Sequence, residues 1–147
     1  MRRTMRWAFV VALLASGACQ RGKASHAATD DLRYRLVPMT GQQASALSQF
    51  AHRQMTGGVD PADVAMVVSP QPADTPKGKL LLAVRYSSCG HSLGRVVLTD
   101  GTLVIEKNPP RDAGSGLCGG RNELTGMLVT LPRKATVRVA RVQPASS

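Results

Sequence analysis

Two apolar runs joined by Asp100-Gly101 constrain this chain more than any other stretch. Arg95-Val96-Val97-Leu98-Thr99 precedes the dipeptide and Thr102-Leu103-Val104-Ile105-Glu106 follows it. Asp-Gly accepts positive φ at both central positions of a two-residue turn, so the runs are predicted to pair as a β-hairpin. The turn sets the register. Thr99 faces Thr102, Leu98 faces Leu103, Val96 faces Ile105 and Arg95 faces Glu106. Val96, Leu98, Leu103 and Ile105 then share one face, assigned to the core. The other face carries Val97 over Val104 and an Arg95–Glu106 ion pair, worth at most about 1 kcal/mol if exposed. The hairpin lies within a longer strand-rich stretch, Lys79 to Leu131, which also holds Cys89 and Cys118.

The remaining elements follow from periodicity. Leu32, Tyr34 and Leu36 alternate with Arg33 and Arg35, the pattern of a half-buried strand that Pro38 stops. Thr40 to Thr56 is the predicted helix. Thr40 is its N-cap, Gln43 completes a capping box, and Ala44, Leu47, Ala51 and Met55 with Phe50 form an apolar face. Gly57-Gly58 is expected to end it, with His52 and Arg53 favouring the dipole in the last turn. Val64 to Ser69 reads as a short strand, followed by a loop carrying Pro70, Pro72 and Pro76. Leu80 to Val84 is apolar on both faces and is expected to be a central strand. Ser87 to Gly94 is a loop holding Cys89 and His91. Asn108 to Gly120, rich in Pro and Gly, is another, holding Cys118. Leu124 to Leu131 is a strand expected to be interrupted at Gly126. Thr136 to Val142 is the last, with Val137 and Val139 inward and Arg138 facing solvent on an edge. The fold class is α+β: six or seven mostly antiparallel strands, sandwich-like, with one early amphipathic helix.

The N-terminus has a different character. Met1 to Arg6 carries Arg2, Arg3 and Arg6, Trp7 to Ala15 is continuously apolar, and Ser16-Gly17-Ala18-Cys19 follows. This order of charge, apolar run and small residues is that of an export signal, too short for a stable transmembrane anchor. The residues before Cys19 resemble the bacterial lipoprotein signal, the lipobox, although Ser16 stands where that family usually has a large aliphatic residue. The resemblance covers about the first 20 residues. It implies cleavage before Cys19, lipidation of its thiol, and, with Gln20 rather than aspartate next, sorting to the outer membrane facing the periplasm. The alternative is ordinary secretion, with cleavage after Ala18 or near Ala27. On the first reading, residues 1–18 are the signal peptide, 19–30 a flexible tether, and 31–143 a single domain.

Export alters the cysteine arithmetic. With Cys19 lipidated, Cys89 and Cys118 remain in an oxidising compartment, where a disulfide between them is expected. It would close a loop of about 30 residues, worth roughly 3–4 kcal/mol in the loop-entropy picture.

The formal net charge is +10, and removing the three leader arginines leaves 16 basic against 9 acidic residues. In the cytosol such a balance would point to nucleic acid. Export takes the chain away from nucleic acid, so the charge is read as affinity for anionic envelope surfaces or as a solvated face. Arg111, Arg121, Arg133 and Lys134 lie in loops and are expected to form a basic rim at one end of the sheet, the candidate contact surface.

The sequence offers few alternatives. Ser87-Ser88-Cys89-Gly90-His91 places thiol and imidazole close together, as a hydrolase or transferase would require, provided Cys89 stays free. A metal site drawn from Cys89, His91, Cys118 and His52 matches no zinc spacing, and Met39, Met55 and Met66 are read as core fillers. Gly114-Ser115-Gly116 with Gly119-Gly120 lacks the ending of a phosphate-binding loop. No catalytic residues, metal or cofactor are therefore assigned. The expected protein is a lipid-anchored, non-catalytic binding or structural module of the envelope, attached to the membrane through its lipid. Its partner would be an envelope protein or an anionic envelope component. The alternatives are a small periplasmic enzyme using Cys89 and His91, and an inhibitor that inserts the Asn108–Gly120 loop into a periplasmic hydrolase.

Overall fold

A computed structural model describes residues 31–59, 61–110 and 121–145. The leader, Cys19, the tether, Arg111, Cys118 and the glycines between 114 and 120 lie outside the described residues. The architecture is α+β: seven strands in two mostly antiparallel sheets and one helix. In chain order these are β1 (Tyr34–Val37), α1 (Gly41–Arg53), β2 (Val64–Val67), β3 (Lys79–Ser87), β4 (Ser92–Thr99), β5 (Thr102–Asn108), β6 (Asn122–Thr130) and β7 (Val139–Pro144).

One sheet has the order β1-β6-β3-β2 and is antiparallel throughout. The other has the order β4-β5-β7, with β4–β5 antiparallel and β5–β7 parallel. The sheets pack face to face. Leu82, Val84, Met127 and Val129 from the first meet Val96, Leu103, Ile105 and Ala140 from the second, all buried. This core is aliphatic apart from Tyr86 and the partly buried Tyr34. Burying a side chain such as Leu82 contributes about 1.5–3 kcal/mol. The chain before β1 also joins the sheets. Asp31 bridges to Val97 and Leu32 N–H donates to the Val96 carbonyl, while Thr130 N–H donates to the Arg33 carbonyl. The Tyr34 hydroxyl then crosses the core to donate to the Leu93 carbonyl, 3.1 Å away.

The helix lies on the outer face of the first sheet, where Leu47 and Ala51 pack on Val64 and Ala83. Its capping box is as expected: Thr40 Oγ1 accepts from Gln43 N–H at 3.2 Å and Gln43 Oε1 accepts from Thr40 N–H at 3.0 Å. Its end is not. Gln54 is the C-cap, and Gly57-Gly58 instead turn the chain between the bridged pair Thr56 and Val59.

The hairpin has the expected register from Thr99↔Thr102 to Val96↔Ile105. Asp100 (φ 50°) and Gly101 (φ 78°) are both left-handed, as a type I′ turn requires. Beyond Val96 the pairing differs. Leu93 pairs with Lys107, so Gly94 and Arg95 together stand opposite Glu106 as a β-bulge. A Cβ at Gly94 would stand 2.5 Å from Asn108 Oδ1 and 3.1 Å from the Glu106 carbonyl, so any other residue would have to displace the Asn108 side chain. Arg95 Nε still reaches the Glu106 carboxylate, at 3.4 Å, and Asp31 at 3.2 Å.

Two further expectations are corrected. Pairing runs unbroken through Gly126, which lies between Val37 and Ala83. The glycine admits β1 closely, because a Cβ there would stand 2.8 Å from Val37 Cγ2. Val139 is not inward but 54% exposed. Arg138 and Val139 N–H groups both donate to the Gly101 carbonyl, which shifts the strand's phase and turns Ala140 and Val142 to the core. Arg138 faces solvent as expected, and its guanidinium also donates to the Asp100 carbonyl, bracing the hairpin turn.

Candidate functional site

The predicted chemistry-bearing residues gather at the end of the molecule where β3 stops and β4 begins. Ser88 to His91 carry the chain between the sheets, with Gly90 at φ 74°. Cys89 is disulfide-bonded, and the other two cysteines lie outside the described residues. A disulfide sulfur is no thiolate, so the Cys89–His91 pair lacks its nucleophile in this state. His91 Nδ1 is 2.8 Å from the Asn108 carbonyl, which holds the imidazole against the start of the next loop. Ser88 Oγ donates to the Arg121 carbonyl at 3.1 Å.

The neighbouring ionisable groups are used internally. Asp63 Oδ1 accepts from Ser87 N–H at 3.0 Å, and Asp63 Oδ2 is 2.6 Å from Lys107 Nζ. Lys107 belongs to the second sheet and is buried, so this pair ties the sheets together at their polar end. Tyr86 donates to Glu123 Oε2 at 2.8 Å across the β3–β6 pair. Burial, then the hydrogen bond to Glu123 and its negative charge, push the Tyr86 phenol up to about 12. Burial also raises Tyr34. Among the described residues, no three His, Cys, Asp or Glu side chains form a group that could hold a metal ion.

The basic rim expected from the sequence is divided. Arg121 immediately precedes β6, whereas Arg133 and Lys134 follow its last residues. A nine-residue strand stands between them, about 30 Å at the usual rise. They therefore do not share one surface, and Arg111 lies outside the described residues.

Strand order assembles a different basic surface. Arg33 and Arg35 point to the outer face of the first sheet, because Tyr34 between them points to the core. Arg35 pairs with Leu128, and Lys79 pairs with Thr130. Arg33, Arg35 and Lys79 thus surround Leu128 and Thr130 in a depression of ≈ 320 Å³. A second hollow of ≈ 270 Å³ shares Arg35 and Leu128 with it and runs to Thr40 at the helix start. A third, ≈ 370 Å³, continues between α1 and Ser69–Pro72. The proline-rich wall is fixed by Gln71, whose amide bonds both the Leu81 N–H (2.7 Å) and the Leu81 carbonyl (3.0 Å).

Lys77 stands beside this groove, and Arg133 and Lys134 follow at the same end, because Leu131 N–H donates to the Gly78 carbonyl. Among the described residues, none of these six cations has an ion-pair partner. Sequence periodicity identified Arg33 and Arg35 only as the solvent side of a strand and left Lys79 as a strand boundary. The signal that joins them, the β1-β6-β3 order, is long-range.

No helix among the described residues is long and apolar enough to cross a membrane. No protein-family model matches the chain, and no curated protein and no solved structure matches it.

Proposed function

We propose that this chain is an exported, lipid-anchored protein of the bacterial envelope that acts as a non-catalytic binding module in the periplasm. The observation that carries the reading is the disulfide at Cys89. Structural disulfides belong to oxidising compartments, in keeping with the Met1–Cys19 leader. The same bond removes the thiol that the enzyme reading needs. The partner is an envelope protein or an anionic envelope component, met by the groove and by Arg33, Arg35 and Lys79, which hold no ion pair among the described residues. The inhibitor reading rests on the Asn108–Gly120 loop, most of which lies outside the described residues.

Mass spectrometry of protein made in its own host tests the first half: an acylated Cys19 at the N-terminus and a Cys89–Cys118 bond are expected. An unprocessed leader with two alkylatable thiols would overturn it. Pull-down from envelope extracts tests the second half. Recovery of nothing beyond what a lipid anchor alone recovers would refute a binding role.

A further inference from the structure

We infer that the end of the domain bearing Arg33, Lys79 and Arg133 docks on the anionic phospholipid surface to which the chain is anchored. The inference rests on the lipid-anchor reading above and adds an orientation and a ligand class. Three observations converge on it.

The first is where the chain comes from. The described domain begins at Asp31, which bridges to Val97 near the hairpin turn. Residue 33 lies beside Thr130, at the close of β6. The polypeptide therefore reaches Cys19 from this end, through residues 20–30. That stretch spans at most about 40 Å when fully extended, so this end stays within that distance of the headgroups and is the nearer end by connectivity.

The second is charge. Arg33, Arg35, Lys77, Lys79, Arg133 and Lys134 cluster here against Asp74 and Asp100, while Asp31 is held by Arg95. None of the six is committed to an ion pair among the described residues. Anionic headgroups attract such residues individually, and the attraction falls off within a Debye length. Restraint by the anchor is what makes this short range sufficient, because a tethered patch meets the surface at high effective concentration.

The third is the opposite end, where Asp63, Glu123 and Lys107 are already engaged within the fold. Docking through the basic end leaves the Cys89 turn and Asn108 facing away from the bilayer.

Lysine accessibility in the lipidated protein tests this directly. The protein is purified from its host and reconstituted into vesicles of phosphatidylcholine, or of equimolar phosphatidylcholine and phosphatidylglycerol. It is then acylated with a membrane-impermeant reagent. Lys77, Lys79 and Lys134 are expected to react about fivefold or more slowly on the anionic vesicles, with protection relieved at high salt. Lys107, buried in the fold, reacts slowly on both. The double substitution Lys77→Glu and Lys134→Glu, at two turn positions, should remove the protection of Lys79. Equal rates on both vesicle types, with the protein still anchored, would overturn the docking and leave the anchor intact. Protein that floats with neither vesicle type would overturn both.

Discussion

The two ends of the four-stranded sheet use the same kinds of side chain in opposite ways. At the end where β3 closes, Lys107 is bound to Asp63, Tyr86 to Glu123, and Cys89 is in a disulfide. At the end where β3 opens, Arg33, Lys79 and Arg133 have no charged partner among the described residues. Depth accounts for the difference. The Lys107 side chain is 9% exposed, and a cation so far from water must be compensated by a carboxylate. The cations of the basic end border hollows open to solvent, where pairing contributes only about 0–1 kcal/mol. One end therefore uses these groups within the fold, Lys107–Asp63 between the sheets and Tyr86–Glu123 within one. The other keeps its charge available for something outside the chain.

The contrast breaks if the polar end does not carry stability. Cys89→Ser should have the largest effect, about 3–4 kcal/mol on the proposed pairing with Cys118, which would close roughly 30 residues. Denaturant unfolding in the absence of reductant measures it. A loss below 1 kcal/mol would mean that the clamp is not what organises this end.

Alkaline titration sharpens the same side. Folding raises the Tyr86 phenol from its ordinary 10 to about 12. The folded state thus holds the proton more tightly than the unfolded chain does. That contribution is complete below pH 10 and is lost as pH rises from 10 to 12. Discounted for solvent screening, it amounts to at most about 2 kcal/mol. The wild type should lose that much more stability over this interval than Tyr86→Phe, with the lysines titrating alike in both. Parallel curves would show that the Tyr86–Glu123 contact is not protected in solution.

Lys107→Met comes next, at about 2 kcal/mol. Its methylene stem is replaced in kind, while Asp63 keeps the Ser87 N–H and some solvent. Adding Asp63→Ala to Lys107→Met should cost less than the two single losses summed, the mark of a coupled pair.

How far the sequence reveals this division depends on the range of each signal. The hairpin register and the capping box were legible because each is written within a few residues: Asp100-Gly101 between alternating runs, and Thr40 with Gln43. The bulge at Gly94-Arg95 was not, since an extra residue is defined only against Glu106 on the partner strand. The phase of β7 was misread for a similar reason. Its alternation looked regular from Thr136, but the strand begins only at Val139, where the chain leaves the Gly101 carbonyl. Arg133 and Lys134 were recognisable as loop cations. That Arg121 sits at the other end, and that Arg33 and Lys79 replace it beside them, follows from strand order. The pairings of β6 with β1 and β3 span tens of residues, and no local pattern encodes them.

The smallest effect concerns the basic end and tests the comparison from its other side. Arg33→Gln, Lys79→Gln and Arg133→Gln remove cations that border solvent-open hollows and hold no described ion pair. Each should change unfolding free energy by less than about 0.5 kcal/mol, the usual range for such surface positions. Glutamine keeps the first two methylenes of either side chain, and the hollow that Arg33 and Lys79 line with Leu128 is open to solvent, so the packing loss is small. If like-charge repulsion among the six cations matters, the triple variant should be slightly more stable, and that gain should shrink as salt rises through the screening range. Stability falling by 2 kcal/mol or more would place these residues in the same role as Lys107 and erase the distinction between the ends. Unchanged stability with weakened capture of anionic envelope material would leave binding as the property that the unpaired charge serves.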